Sequence, residues 1–309
     1  MGWMRKALLA ASQSRRLEAQ MQRRAFAQRA VARFLPGESL DDALTAAESL
    51  RALGLPALLT LLGENVTDGA EADRVARHYA DALDRAAARG LDAHVSVKLT
   101  QLGLDLGVDA ARARLEAIVH HAEARRSFAW VDMEDHTYTD RTLAVYRRVR
   151  ESCACVGVCV QAYLHRTERD VHGLLALDSA VRLVKGAYRE PARVAIPRKK
   201  HVDTAYLRLA GILLEAAKTG RARPAFGTHD LRLIEAIRLG ADDLGVPPSL
   251  YEFEMLYGIQ REAQARLARE GHRMRVLISY GSAWFPWFMR RLAERPANLW
   301  FVARNLFVR

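Results

Sequence analysis

Charged and amide side chains interrupt apolar runs at a recurring place in this sequence. From the N-terminus they are Glu64, Lys98, Asp132 with Glu134 and Asp135, Gln161, Arg182 with Lys185, Thr228 with His229, and Glu254. Each stands at or near the C-terminal end of a short run rich in apolar and β-branched residues. Charges inside such runs are costly to bury without partners. One of them would pass as a structural ion pair, but their recurrence in run after run points to a single shared basin. Carboxylates, cations and amide donors gathered there suit a charged small molecule and a polar cofactor. A further candidate is WFPWFMRRLAE (284–294), where Arg290 and Arg291 follow Trp284, Phe285, Trp287, Phe288 and Met289, and Glu294 comes next. A helix facing only water has no use for those aromatics, so this pair of cations belongs in a partly apolar setting.

The elements that must position these residues follow a repeating rhythm past residue 55. The predicted strands are PALLTLLGE (56–64), AHVSVKLT (93–100), FAWVDMED (128–135), VGVCVQAYL (156–164), AVRLVKGAY (180–188), RPAFGTHD (223–230), YEFEMLYG (251–258) and RMRVLISYG (273–281). Segments of helical periodicity, such as 73–89, 115–125 and 205–218, fill the gaps. Eight βα units in about 250 residues predict a TIM-type (β/α)8 barrel, whose active site gathers at the C-terminal strand ends. A doubly wound open sheet fits the alternation too, but no G-x-G-x-x-G follows the first strand. The expected organisation is an N-terminal helical arm over 1–54 and a catalytic barrel over 55–309.

Half of the 309 residues are hydrophobic and 27% are charged, the composition of a soluble globular protein. The net charge of +11 is concentrated in residues 1–35. There Arg5, Lys6, Arg15, Arg16, Arg23, Arg24, Arg29 and Arg33 stand against Glu18 alone. With Leu17, Met21, Phe26 and Phe34 among them, the segment reads as a basic amphipathic helix, a form that lies on anionic lipid. A helix packed on the domain with its charges solvated fits equally well. The main body is only mildly basic, so nucleic-acid binding is not indicated. Cys153, Cys155 and Cys159, in CACVGVC, fit neither a disulfide framework nor a paired C-x-x-C zinc site, and read as reduced thiols buried in a strand. No apolar run approaches the ~20 residues of a membrane span, and ALLAA is too short for a signal-peptide core. The expected location is the cytoplasm, with peripheral membrane contact through residues 1–35.

Several motifs, in order, resemble the proline dehydrogenase family: VSVKLTQLGLDL (95–106), VDMED (131–135), VKGAYREP (184–191), FGTHD (226–230), YEFEMLYG (251–258) and RRLAERPAN (290–298). The length matches the monofunctional bacterial form. The resemblance implies a barrel holding FAD noncovalently, oxidation of L-proline to Δ1-pyrroline-5-carboxylate, and a membrane quinone as electron acceptor. It implies that Asp132 and Arg182 are catalytic, and that Met133, Gln161, Lys185, Gly186, Ala187, Thr228 and His229 contact the flavin. Gly186 suits a place where backbone approaches the cofactor closely. Arg290 and Arg291, with Lys98 as a third cation, would grip the substrate carboxylate, for which arginine is the planar fork. Tyr188 and Leu256 would line the substrate pocket. Glu64 and Glu294 are candidate countercharges for an empty site, and in the family the residue matching Glu64 pairs with that matching Arg290 as a gate.

Two positions depart from the family's pattern. Leu277 and Trp287 stand where tyrosines usually touch the substrate ring. That leaves another cyclic imino acid, such as 4-hydroxyproline or pipecolate, as an alternative substrate. A rival of another class is a Schiff-base aldolase using Lys98 or Lys185, which has no role for Gln161, Arg182 and the Thr228–His229 pair. An adaptor reading based on the basic N-terminal helix explains residues 1–35 only.

Overall fold

The computed structural model describes residues 31, 33–285, 288 and 289. Eight parallel strands close into a barrel in sequence order. They are β1 Ala57–Leu61, β2 Ala93–Val97, β3 Ala129–Val131, β4 Val156–Gln161, β5 Ala180–Val184, β6 Arg223–Gly227, β7 Glu252–Leu256 and β8 Arg273–Tyr280. β1 pairs with β8 in the register Leu58↔Leu277 to Leu61↔Tyr280, which closes the cylinder and rules out an open sheet.

Helices α1 Leu40–Arg51, α2 Gly69–Ala88, α3 Val108–Ala124, α4 Thr139–Ser152, α5 Thr167–Leu175, α6 Lys199–Lys218, α7 Leu231–Leu244 and α8 Arg261–Arg269 surround the sheet. Their starts follow local chemistry. Ser39 and Asp42 form a reciprocal capping box on α1, with the Asp42 N–H donating to Ser39 Oγ at 3.1 Å. Asp68 and Asp230 accept from backbone N–H groups of the first turns of α2 and α7. Helix α1 lies against β8 and β1, where the helix after a barrel's last strand would ordinarily lie. Its buried Leu40, Ala43, Leu44, Ala47 and Leu50 share one core with the outward side chains of the strands.

Strand residues alternate between two environments. The outward set, including Leu59, Val97, Val131, Val158, Leu183, Phe226 and Ile278, packs under the helices. The inward set contains a small apolar cluster of Leu58, Phe128, Trp130, Ala180 and Ala225, with Leu277 packed against it. Much of the rest of the interior is polar, with Ser96, Arg182, Glu252, Glu254 and Arg275 buried in it. Gly157 on β4 makes room for Trp130, whose ring would lie 2.5 Å from an added Cβ.

The strands end earlier than the sequence pattern suggests. Lys98–Thr100 and Met133–Asp135 have left the ladder, Asp132 keeps one bond to it through its N–H to the Val97 carbonyl at 2.8 Å, and Gln101 N–H already turns back to the Lys98 carbonyl at 3.1 Å. The polar residues at these ends therefore sit on the loops that rim the barrel. The basic helix expected over 1–35 falls almost wholly outside the described residues. Among the described residues, no helix is long and apolar enough to cross a membrane.

Candidate active site

The centre of the basin is Arg182, an inward residue of β5 that is only 3% exposed. Its Nη2 donates to Ser96 Oγ at 2.9 Å and to Asp132 Oδ1, and its Nη1 donates to Glu254 Oε2 at 3.3 Å. The guanidinium carbon lies 5.3 Å from the centroid of the Trp130 ring, on the neighbouring inward face. Ser96 in turn donates to Asp132 Oδ1 at 2.8 Å. Four strands, β2, β3, β5 and β7, thus converge on one buried cation. Burial works against the charged form of Arg182, but Glu254 and Asp132 outweigh it and raise its pKa. Burial lifts Glu254 to about 7, with Arg182 pulling the other way, and among the described residues Glu254 Oε1 has no hydrogen-bond partner.

A second cation stands on the rim. Lys98 Nζ donates to the Gly63 carbonyl at 3.3 Å and lies 3.4 Å from Glu64 Oε2. Asp132 is therefore engaged by Arg182 and Ser96, while Lys98 reaches toward the β1 loop. Glu134, next but one to Asp132, is buried and accepts from the Thr100 N–H at 3.2 Å and the Thr100 hydroxyl at 2.6 Å. Burial raises its carboxyl to about 7 against those hydrogen bonds. Met133, between them, is buried as well.

The far wall comes from β4 to β7. Gln161, the last residue of β4, donates through Nε2 to the Glu134 carbonyl at 2.8 Å. Lys185 pairs with Asp203 Oδ1 at 2.5 Å and with Asp230 Oδ2 at 3.2 Å. Burial pushes Asp230 upward, but hydrogen bonds from Arg232 and Lys185 prevail and hold its carboxyl at about 2. His229 Nε2 accepts the Leu256 N–H at 3.0 Å, and so joins β6 to β7. Thr228 Oγ1 accepts the Asp230 N–H at 3.2 Å. Gly186, Ala187 and Tyr188 form the loop after β5. Gly186 adopts φ +112°, and a Cβ there would meet Tyr163 Cδ1 at 2.2 Å. Its need for glycine thus has a visible cause in the Tyr163 ring, beyond the close cofactor approach expected from sequence.

Leu256 and Leu277 are half-buried neighbours in the β7–β8 register, and Leu277 lies against the cluster of Leu58 and Trp130. Trp287, Arg290, Arg291 and Glu294 lie outside the described residues. One partner, Ser96, was missed in the sequence, and the role of another, Glu254, was not assigned. Ser96 is a small hydroxyl within a strand and gives no signal of its own. Glu254 was visible as a charge within an apolar run, but its partner depends on barrel closure. Neither lysine is isolated in an apolar pocket, the setting of a Schiff-base amine. Cys159 is the register partner of Arg182, and burial raises its thiol to about 11, which disfavours the thiolate.

The model of the family described as "Proline dehydrogenase" matches residues 43–304. The chain belongs to the proline dehydrogenase family. Within this oxidoreductase family, it is 38% identical over 274 residues to proline dehydrogenase 1 of Bacillus subtilis subsp. natto, covering 89% of each chain. It is 37% identical over 279 residues to proline dehydrogenase of Deinococcus radiodurans, again covering 89% of each. These relatives are of the monofunctional bacterial kind. Among solved structures, it resembles proline utilization A from Bdellovibrio bacteriovorus inactivated by N-propargylglycine, with a TM-score of 0.81 and 27% identity. That match covers 87% of this chain and 33% of the longer one.

Proposed function

We propose that this chain oxidises L-proline to Δ1-pyrroline-5-carboxylate, with FAD held noncovalently at the C-terminal strand ends and a membrane quinone as the final electron acceptor. The observation that carries this reading is the buried Arg182, held by Asp132, Ser96 and Glu254 at the base of a basin rimmed by Lys98 and Lys185. The donor set fits a flavin nucleotide: an amide at Gln161, a hydroxyl at Thr228, an imidazole at His229, and cations suited to anionic groups. Met133, Gly186 and Ala187 would complete that cradle.

Oxidation removes a hydride from the ring carbon beside nitrogen and a proton from the nitrogen, which leaves the C=N bond of the product. When bound, FAD supplies the two-electron acceptor. The chain's own residues then have distinct tasks. Lys98, Arg290 and Arg291 hold the substrate carboxylate, with Glu64 and Glu294 as countercharges in the empty site. Arg182 provides a fixed positive charge at the base, where it costs no reorganisation during reaction. Asp132 and Ser96 fix its orientation. Tyr188, Leu256, Leu277 and Trp287 form the wall around the ring.

Leu277 favours a second reading, in which a larger or substituted cyclic imino acid is also used. It lies against apolar Leu58 and Trp130 and offers no hydroxyl to the basin. Residues 1–35 are proposed to dock the enzyme on anionic membrane, where quinone resides, from the cytoplasmic side. The deciding experiment is anaerobic addition of proline to the purified protein. A yellow protein that bleaches supports the assignment, and a colourless one that takes up no FAD overturns it.

A further inference from the structure

The CACVGVC segment has no part in the chemistry above, and its first two cysteines lie at the opposite end of the barrel from it. Cys153 caps the C-terminus of α4, and Cys155 directly precedes β4. Glu123 is the last residue but one of α3. Among the described residues, the two Sγ atoms and a Glu123 carboxylate oxygen all lie within 4.8 Å of one another. The length of β4 separates this group from Gln161, roughly 20 Å at strand rise.

We propose that Glu123, Cys153 and Cys155 form a site for one zinc ion. Two sulfurs and one carboxylate are ligand types zinc accepts, at about 2.3 Å and about 2.0–2.2 Å. In a tetrahedral site those bonds set the donors roughly 3.5–4 Å apart, so the present cluster closes on an ion by small side-chain adjustments. A carboxylate beside thiolates favours zinc over the softer Cu(I). Exposed Glu123 leaves the fourth position to water, while Cys153 is buried.

The surroundings support a cation. The C-terminal ends of α3 and α4 meet here, and both carry partial negative charge. The Cys155 N–H donates to Cys153 Sγ at 3.4 Å, which orients that sulfur. Two thiolates and a carboxylate around Zn²⁺ sum to a single negative charge. Arg150, which donates to the Cys153 carbonyl, stands ready to offset it. A bound ion would tie the end of α3 to the turn entering β4.

The test is equilibrium dialysis of the reduced holoenzyme against Zn²⁺ in a non-thiol reductant, with alkylation of each cysteine followed by peptide mass spectrometry. The expected result is one zinc per chain, with alkylation of Cys153 and Cys155 slowed at least tenfold and that of Cys159 unaffected. Glu123→Gln changes an exposed residue outside the catalytic basin, so it should keep the fold and basal activity and weaken zinc at least tenfold. Cys155→Ser should abolish the uptake. Absence of zinc uptake, uptake retained by the Cys153→Ser/Cys155→Ser double variant, or unchanged affinity in Glu123→Gln would each overturn the site.

Discussion

Arg182 Nη1 stands 3.3 Å from Glu254 Oε2 in the middle of the barrel, so a guanidinium already held by Asp132 meets a second carboxylate. The two side chains are 3% and 4% exposed, and their relation is thus set by the protein rather than by water. With both carboxylates ionised, the group bears a net negative charge. With Glu254 protonated it is neutral.

Arg182→Lys keeps the charge but cannot span Ser96, Asp132 and Glu254 together. Its turnover with proline should fall at least a hundredfold, which is about 3 kcal/mol of transition-state stabilisation. Steady-state kinetics at matched FAD content will measure it. An undiminished kcat would remove Arg182 from the reaction.

Glu134 makes stability depend on pH. Its folded carboxyl is raised to about 7 by burial, so between the ordinary glutamate value and about 7 the folded state holds a proton that the unfolded chain has released. The stabilisation is complete in acid and is lost as pH rises through about 7. Glu134→Gln keeps partners for both Thr100 groups and removes the titration. Between about pH 5 and about pH 8, the wild type should lose about 2–3 kcal/mol relative to this variant, read from denaturant midpoints. Parallel curves would mean that Glu134 does not titrate in the folded state.

Gly186→Ala puts a methyl group against the Tyr163 ring at a backbone angle that L-residues rarely adopt. The combined overpacking and strain should cost about 2–5 kcal/mol and lower FAD retention. Adding Tyr163→Leu should recover the packing part and leave the strain. Chemical denaturation of the single and double variants separates the two. Wild-type stability in Gly186→Ala would show that Tyr163 yields freely.

Leu277→Tyr would return a hydroxyl to the wall beside Leu58 and Trp130. Discrimination among proline, 4-hydroxyproline and pipecolate should then shift toward proline by ~1–3 kcal/mol in kcat/KM. An unchanged order of preference would mean that Leu277 does not touch the ring.

The barrel was legible because parallel strands covered on both faces read as short apolar runs, and all eight lie where those runs stand. Their ends were less legible. Lys98 and Asp132–Asp135 extend the alternation equally well as strand or loop, and the turns at Gln101 and at Tyr138, whose N–H groups bond back to Lys98 and Asp135, decide. The basin was foreshadowed by charges within apolar runs, but its pairings were not. Glu254 and Ser96 are far from Arg182 in sequence, and closure of the sheet brings them together. Lys98 meets Glu64 because β1 and β2 are parallel neighbours, which sets their C-terminal ends side by side. Gly186 was recognisable as a special position, while the ring that demands it belongs to the preceding strand's loop.

The seating of α1 on β8 has a consequence for biosynthesis. The helix leaves the ribosome before all eight strands of the barrel, whereas β8 emerges only after the other seven. Until then the apolar stripe of Leu40, Ala43, Leu44, Ala47 and Leu50 lacks that part of its cover. A nascent chain therefore carries a partly uncovered sticky face while the first seven strands emerge, and chaperone capture should be stronger on chains stalled before residue 273 than on chains stalled after β8.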